Sequence, residues 1–484
     1  MFSWVSALIS NENIYAMQKT PSSFYVLISV FFFWGFVAAS NTILIPLFKQ
    51  HFQLSQSQSQ LVDSAFYVAY GVGSLIYFLW SVIAGDPLNK IGYKKGLILG
   101  LLVSASGTLV FLPAAQSNSF SLMLLALFLV AFGFALQQIV ANPYVIALGS
   151  PETGAHRNTL AGGINSFGTT IGPLIVGFAI FGNIGQSANV GIEAVKTPYL
   201  ILGMAFILFA LLLAFSKLPP IQNNEKVNFD LGVFKFPQLI LGMIAIFIYV
   251  GVEVGVQSNL PELMKQQDYL GLEPSKTVHY ISLYWGCLMI GRWTGAINAF
   301  NLKQSTSKLL SIVMPIIAFT VIILVNYIKG SPVMDLIYFF PFVLILILIS
   351  FVVKQKPAQT MFVFGSLAAM MMIIGIVTTG KLSLYSFISA GLFCSVMWPC
   401  IFALSIAGLG KYTAQGSALL VMMIVGGATI PWLQGKLSES IGIHLSYIIP
   451  VLCFAYLAFF GWKVKQVLLK QGVNYDEPAN ASAH

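Results

Sequence analysis

Two carboxylates in this chain of 484 residues stand where water cannot solvate them. Of its 15 acidic residues, most fall in termini, polar stretches or the edges of apolar runs, Glu262 among them, but Asp63 and Glu253 lie well inside such runs. An ionised side chain at the centre of a bilayer costs about 2.5–3.5 kcal/mol on insertion scales, so each should face a cavity or a partner. An acid held at that depth, and able to change its charge there, is a candidate cation carrier. The apolar runs also contain amides: Asn41, Gln137, Gln138, Asn142, Asn165, Gln257 and Asn259. Gln138 and Asn142 are spaced i, i+4 on one helix face, and so are Glu253 and Gln257. Amides and carboxylates engage polar groups of a solute while aromatic faces cover C–H surfaces. Trp34, Trp285 and Trp398 supply the aromatic candidates. The competing use of any one amide is an interhelical hydrogen bond, worth about 0.6 kcal/mol on average.

Other chemistries find no support. His51, His156, His279, His444 and His484 are scattered near span ends or tails with no zinc spacing. No Gly-x-Ser-x-Gly occurs, and the glycine-rich stretches carry no Gly-Lys-Ser/Thr to cradle a nucleotide, so no cofactor other than a coupling ion is expected. Cys287, Cys394, Cys400 and Cys453 all sit in apolar runs and read as small buried thiols. Arg292, in Gly291-Arg292-Trp293, reads either as intramembrane or as an anchor at the cytoplasmic end of its span, the second being the plainer reading. Arg157, with Glu152 in the preceding loop, and the basic residues Lys90 and Lys94 read as parts of a gate network.

The elements that must position these residues are membrane helices. Some 57% of the chain is hydrophobic and only 8% charged, with a mean hydropathy of +0.85; a soluble domain carries about 25% charged residues. A soluble enzyme, a nucleic-acid binder and a secreted disulfide scaffold are excluded. Long unbroken apolar runs also disfavour an outer-membrane barrel, whose strands alternate polar and apolar residues. At about 20 apolar residues per crossing, spans are predicted over 24–46, 60–84, 95–114, 119–148, 158–183, 197–216, 237–262, 277–299, 307–328, 333–353, 359–379, 382–409, 412–434 and 444–468. The polar stretch 217–236 divides them into two halves. No signal peptide is expected from residues 1–20. With the N-terminus inside, 16 Lys and Arg fall in cytoplasmic segments and 7 in outer loops, which predicts both termini cytoplasmic.

The halves repeat. Pro46 matches Pro261 and Gly71 matches Gly286, both at an offset of 215. Asn-Pro-Tyr-Val-Ile-Ala-Leu at 142–148 matches Trp-Pro-Cys-Ile-Phe-Ala-Leu at 398–404, and Ile-Gly-Pro-Leu-Ile-Val-Gly at 171–177 matches Thr-Ile-Pro-Trp-Leu-Gln-Gly at 429–435. These later offsets are 256 and 258, a jump of about 41 residues, which is the length of two spans and a turn. The reading is six helices plus six, with an extra hairpin inserted within 307–379. The predicted organisation is an N-terminal segment 1–23, a bundle 24–216, a linker 217–236, a second bundle 237–468 and a tail 469–484.

The stretch Gly85-Asp86-Pro87-Leu88-Asn89-Lys90-Ile91-Gly92-Tyr93-Lys94-Lys95 resembles the major facilitator signature Gly-x-Leu-x-Asp-Arg-x-Gly-Arg-Lys, with Asn89 in the place of the usual Asp. Asn41-Thr42-Ile43-Leu44-Ile45-Pro46, Ala141-Asn142-Pro143-Tyr144-Val145, Ile164-Asn165-Ser166-Phe167-Gly168, Tyr412-Thr413-Ala414-Gln415-Gly416-Ser417 and Val425-Gly426-Gly427-Ala428 resemble the fucose/glucose/galactose branch of that superfamily, the sugar:cation symporters. The resemblance implies an all-α fold of two six-helix bundles about a central cavity, working by alternating access around a midplane site. It also implies a sugar-site role for Asn165. Fucose:proton symporters of this kind carry Asp at the position of Thr42 and Glu at that of Gln138. Both acids are missing here, and Gln138 resembles the glucose/galactose members.

The expectation is therefore an importer of a hexose with a cation, acting as a monomer in the bacterial inner membrane and binding no nucleic acid. Asp63, Glu253 and Thr42 are its coupling candidates. A carboxylate with the oxygens of Asn41, Thr42 and Gln138 suits a hard cation, so a sodium site at Asp63, Asn41, Thr42 and Gln138 stands beside proton coupling. The alternatives are an exporter of amphipathic compounds on the same fold, and a polytopic membrane transferase.

Overall fold

The computed structural model describes residues 23–473 apart from 55–57, 59–60, 150–152, 182–190, 220–230, 267–270, 272–276, 301, 329 and 354–355. Within them the chain runs as helices, numbered here in order: α1 Ser23–His51, α2 Leu61–Ala84, α3 Tyr93–Gln116, α4 Phe120–Ala147, α5 Gly154–Phe181, α6 Lys196–Phe215, α7 Pro237–Lys265 and α8 Val278–Ala296. There follow α9 Gln304–Ile328, α10 Phe340–Val352, α11 Pro357–Val377, α12 in three pieces over Gly380–Ile406, α13 in two pieces over Thr413–Met422 and Gly426–Ile441, and α14 Ile448–Lys470. Among the described residues, 11 helices are long and apolar enough to cross a membrane. The chain is a multi-pass membrane protein, and each predicted span falls on one of the helices α1 to α14.

The face holding the start of the 217–236 linker and the Gly85–Lys95 turn is called the linker face below. Its turn is held by Asp86, which accepts from the Leu88 N–H at 2.9 Å and from the Tyr77 hydroxyl at 2.5 Å. Gly85 and Gly92 flank it at φ 79° and 82°, a region that favours residues without a Cβ.

The two halves pack alike. In the first, α3 lies on α4 and α6, α1 on α5, and α2 on α4; in the second, α11 lies on α12 and α14, α7 on α13, and α8 on α12. The two patterns correspond once α9 and α10 are passed over. The glycines agree: a Cβ on Gly71 of α2 would meet open space, whereas one on Gly286 of α8 would meet Ile322 of α9. Between the halves, α5 packs on α8 and α2 on α13.

Two prolines matched by the repeat free carbonyls for contacts between helices, one across the halves and one within the second half. Proline has no N–H, so the carbonyl four residues earlier loses its helical partner. Pro143 in α4 thereby frees the Ile139 carbonyl, which accepts from the Ser417 hydroxyl of α13 at 2.7 Å. Pro399 in α12 frees the Ser395 carbonyl, which accepts from Arg292 Nε of α8 at 3.2 Å.

Candidate substrate and coupling site

A cavity of about 620 Å³ lies between the halves. Its walls come from α1, α2, α4 and α5 on one side and from α7, α8, α9, α12 and α13 on the other. Gln138, Asn142, Asn165, Glu253, Gln257, Trp34, Trp285 and Trp398 all line it, so the structure brings most of the predicted site residues together. On α4, the Gln138 amide donates to the Tyr70 hydroxyl at 3.1 Å, and Asn142 Nδ2 donates to the Gln138 carbonyl at 2.9 Å. On α5, Asn165 Nδ2 donates to the Phe31 carbonyl at 3.0 Å.

Two predicted members do not reach the cavity. Gln137 is fully buried toward α3: its Oε1 accepts from the Trp34 indole and its Nε2 donates to the Ser104 hydroxyl, both at 2.9 Å. It orients Trp34 from behind. Asn259 spends its Nδ2 on the Gly255 carbonyl at 2.9 Å and lies off the lining. Asn41, Thr42 and Asp63 fall on α1 and α2, but their side chains lie outside the described residues, and so does the proposed sodium cluster that they would form.

The charged centre of the cavity is Glu253 with Arg292. The Arg292 Nη2 stands 3.5 Å from Glu253 Oε1, and the side chains are only 12% and 13% exposed. The same carboxylate oxygen accepts from the Tyr249 hydroxyl at 2.6 Å. Arg292 also donates to the Ser166 hydroxyl of α5 at 2.8 Å. One guanidinium thus joins α8 to α7 and α12 in its own half and to α5 in the other. The plainer sequence reading placed Arg292 at a span end. It reaches inward because helical side chains lean toward the helix N-terminus, here away from the linker face.

Sequence reasoning also missed Asn158, beside Arg157 at the start of α5. It lines the cavity, is 1% exposed, and neither its Oδ1 nor its Nδ2 has a partner among the described residues; the same holds for Asn142 Oδ1. Buried amide atoms of this kind cost about 1–3 kcal/mol each unless satisfied. A polyhydroxylated solute, with a donor and an acceptor on each hydroxyl, matches them.

Of the three residues assigned to gating, Arg157 and Lys94 donate to carbonyls at helix ends. Arg157 is buried and donates to the Val145 carbonyl at 3.0 Å and the Ile146 carbonyl at 2.5 Å, closing the C-terminus of α4. Lys94 donates to the Ala214 and Ser216 carbonyls at 2.9 and 2.8 Å, closing that of α6. Lys90 is exposed on the short helix Pro87–Ile91.

The halves touch in the part of the cavity nearer the linker face. Besides Arg292–Ser166 and Ser417–Ile139, the Trp293 indole N–H lies 3.4 Å from the Gly163 carbonyl. A Cβ on Gly295 would sit 3.1 Å from Thr159 Cγ2. In the other direction the lining reaches Val278, at the far end of α8.

Comparison with known proteins agrees with this geometry. The Major Facilitator Superfamily model matches residues 26–353. The glucose/galactose transporter of Brucella abortus is 36% identical over 437 residues, 89% of this chain and 91% of that protein. The L-fucose-proton symporter of Escherichia coli is 28% identical over 462 residues, 90% and 92% of the two chains. The crystal structure of the transporter FucP in the outward conformation superposes with a TM-score of 0.70 at 25% identity, covering 92% of this chain and 98% of that one. Matching half-bundles around one polar cavity, aligned along nearly their whole length with such carriers, make this chain a member of the Major Facilitator Superfamily.

Proposed function

We propose that the protein is a hexose:proton symporter, a transporter and not an enzyme, with a substrate of the glucose/galactose type. The observation that carries this reading is the cavity itself: amides with free buried valences and three tryptophans surround the Glu253–Arg292 ion pair, whose arginine also donates to Ser166 of the other half. Relatives named for glucose and galactose, and others named for fucose and protons, support both the solute and the ion.

Gln138, Asn142, Asn158, Asn165 and Gln257 bind the sugar hydroxyls, and Trp34, Trp285 and Trp398 cover its C–H faces. Glu253 carries the proton. Ionised, it draws Arg292 toward α7; protonated, it loses its attraction for the guanidinium, and Arg292 keeps only its neutral partners on Ser395 and Ser166. Sugar binding and protonation are linked because both act on the same seam between the halves. Only the fully loaded or fully empty protein can then exchange this seam for closure at the opposite face.

The proposed organisation is a bundle over 24–216, a linker over 217–236 and a second bundle over 237–468, with α9 and α10 as the inserted pair. Flanking segments 1–23 and 469–484, like the linker, lie on the cytoplasmic side of a bacterial inner membrane, as the bias of basic residues favours. The described state is then closed toward the cytoplasm. The central cavity is walled by both halves of one chain, which supports a monomer as the working unit.

Uptake of labelled glucose into right-side-out vesicles, with galactose, fucose, mannose and N-acetylglucosamine as competitors, tests the reading. An imposed proton gradient should drive accumulation, and glucose and galactose should compete best. Accumulation driven by a sodium gradient at constant pH, and absent with a proton gradient alone, would sink it.

A further inference from the structure

The first helix of the inserted pair, α9, is not an appendage outside the bundle. Ile322 and Val325 of α9 line the central cavity beside Ser282, Trp285 and Gly286 of α8. On the same helix Leu324, Tyr327 and Ile328 are 52%, 69% and 74% exposed and face away from the protein. One face of α9 therefore meets the solute path while another meets the surroundings of a membrane helix, which are lipid.

The attachment of α9 to α8 is specific. Asn326 is buried, and its Nδ2 donates to the Ser282 hydroxyl at 3.0 Å as well as to the Ile322 carbonyl at 2.9 Å. An amide bond of this kind fixes the register of two helices in an apolar medium. One turn along, Ile322 enters the notch left by the missing side chain of Gly286. At Gly71, the matching glycine of the first half, the same space holds no atom within 4 Å. Ile322 is thus a wedge that the repeat does not provide, set next to Trp285.

We propose that α9 is a wall of the transport path, separating the cavity from the bilayer beside α8, and that Ile322 and Val325 are specificity-determining side chains. They present an aliphatic surface next to Trp285, against the less polar edge of the solute, and they exclude lipid chains from that side. The assignment of the solute as a hexose rests on the function proposed above; the wall itself does not.

The test is reactivity toward a charged, membrane-impermeant methanethiosulfonate added from the outside. The four native cysteines are all buried and give a low background. Val325→Cys should react at least tenfold faster than Leu324→Cys, its lipid-facing neighbour. Equal rates at the two positions overturn the wall. Because labelling needs only water in the path, it is independent of which solute is carried, and hexose uptake by the unmodified chain tests that reading separately. In a second measurement, Ile322→Ala should raise the KM for the transported hexose at least threefold with kcat within twofold. An unchanged KM removes Ile322 from the specificity determinants.

Discussion

At the scale of single residues, the proposed function divides the cavity into groups that bind and one pair that switches. Gln138 and Asn165 each spend one donor on the protein and keep acceptor valences for a ligand. Losing one hydrogen bond to a sugar hydroxyl costs about 0.5–1.5 kcal/mol, so Gln138→Ala and Asn165→Ala should each raise KM several-fold to tenfold with a smaller change in kcat. Uptake kinetics in vesicles give both numbers. Arg292 is less replaceable, because its planar fork serves Ser395, Ser166 and Glu253 together. A lysine offers one point charge in its place, and Arg292→Lys should lower uptake at least tenfold. Wild-type uptake by that variant would separate the seam from transport.

Much of this site was legible in the sequence. Glu253 stood out as a charge in an apolar run, and Gln138 with Asn142 and Glu253 with Gln257 as i, i+4 pairs. The misses have geometric causes. Gln137 is one residue from Gln138 and so about 100° away around the helix, and Asn259 is about 200° from Gln257. Neither could share the face of its neighbour. Asn158 carried no signal, since a polar residue beside Arg157 near a span end reads as interfacial.

At the scale of elements, the two repeat-related prolines turn helix backbone into contact points. Pro143→Ala restores an N–H that recaptures the Ile139 carbonyl and leaves the Ser417 hydroxyl without it. The expected result is a weaker seam, read as faster thiol labelling from the linker side of a cysteine introduced at Asn142. Labelling no faster than with Pro143 in place would show that this proline does not hold the seam. The caps behave differently. Lys94→Gln removes a cation from the carbonyl end of α6 and should cost about 0.3–1 kcal/mol of stability, seen as a lower thermal midpoint in detergent with an unchanged KM. The number and limits of the spans were legible from apolar runs, and the extra pair from the jump in repeat offset. The place of α9 beside the cavity was not, because an apolar helix facing lipid on one side and an apolar part of the path on another has no contrast to read.

At the scale of the whole molecule, transport requires the seam beside the linker face to open while another closes at the opposite face. Thr159 and Gly295 are near enough across that seam for a disulfide. Oxidising Thr159→Cys/Gly295→Cys should stop uptake, a reductant should restore it, and hexose binding from the outside should survive. Uptake that persists in the fully cross-linked protein would exclude rocking about this seam. The most direct test of the central claim is proton movement itself. Adding glucose to proteoliposomes in unbuffered medium should make the outside more alkaline for the native chain, as each sugar enters with a proton. For Glu253→Gln, whose side chain cannot carry that proton, sugar counterflow should continue with no change in pH. Sugar-driven alkalinisation by Glu253→Gln at the native rate would contradict the account.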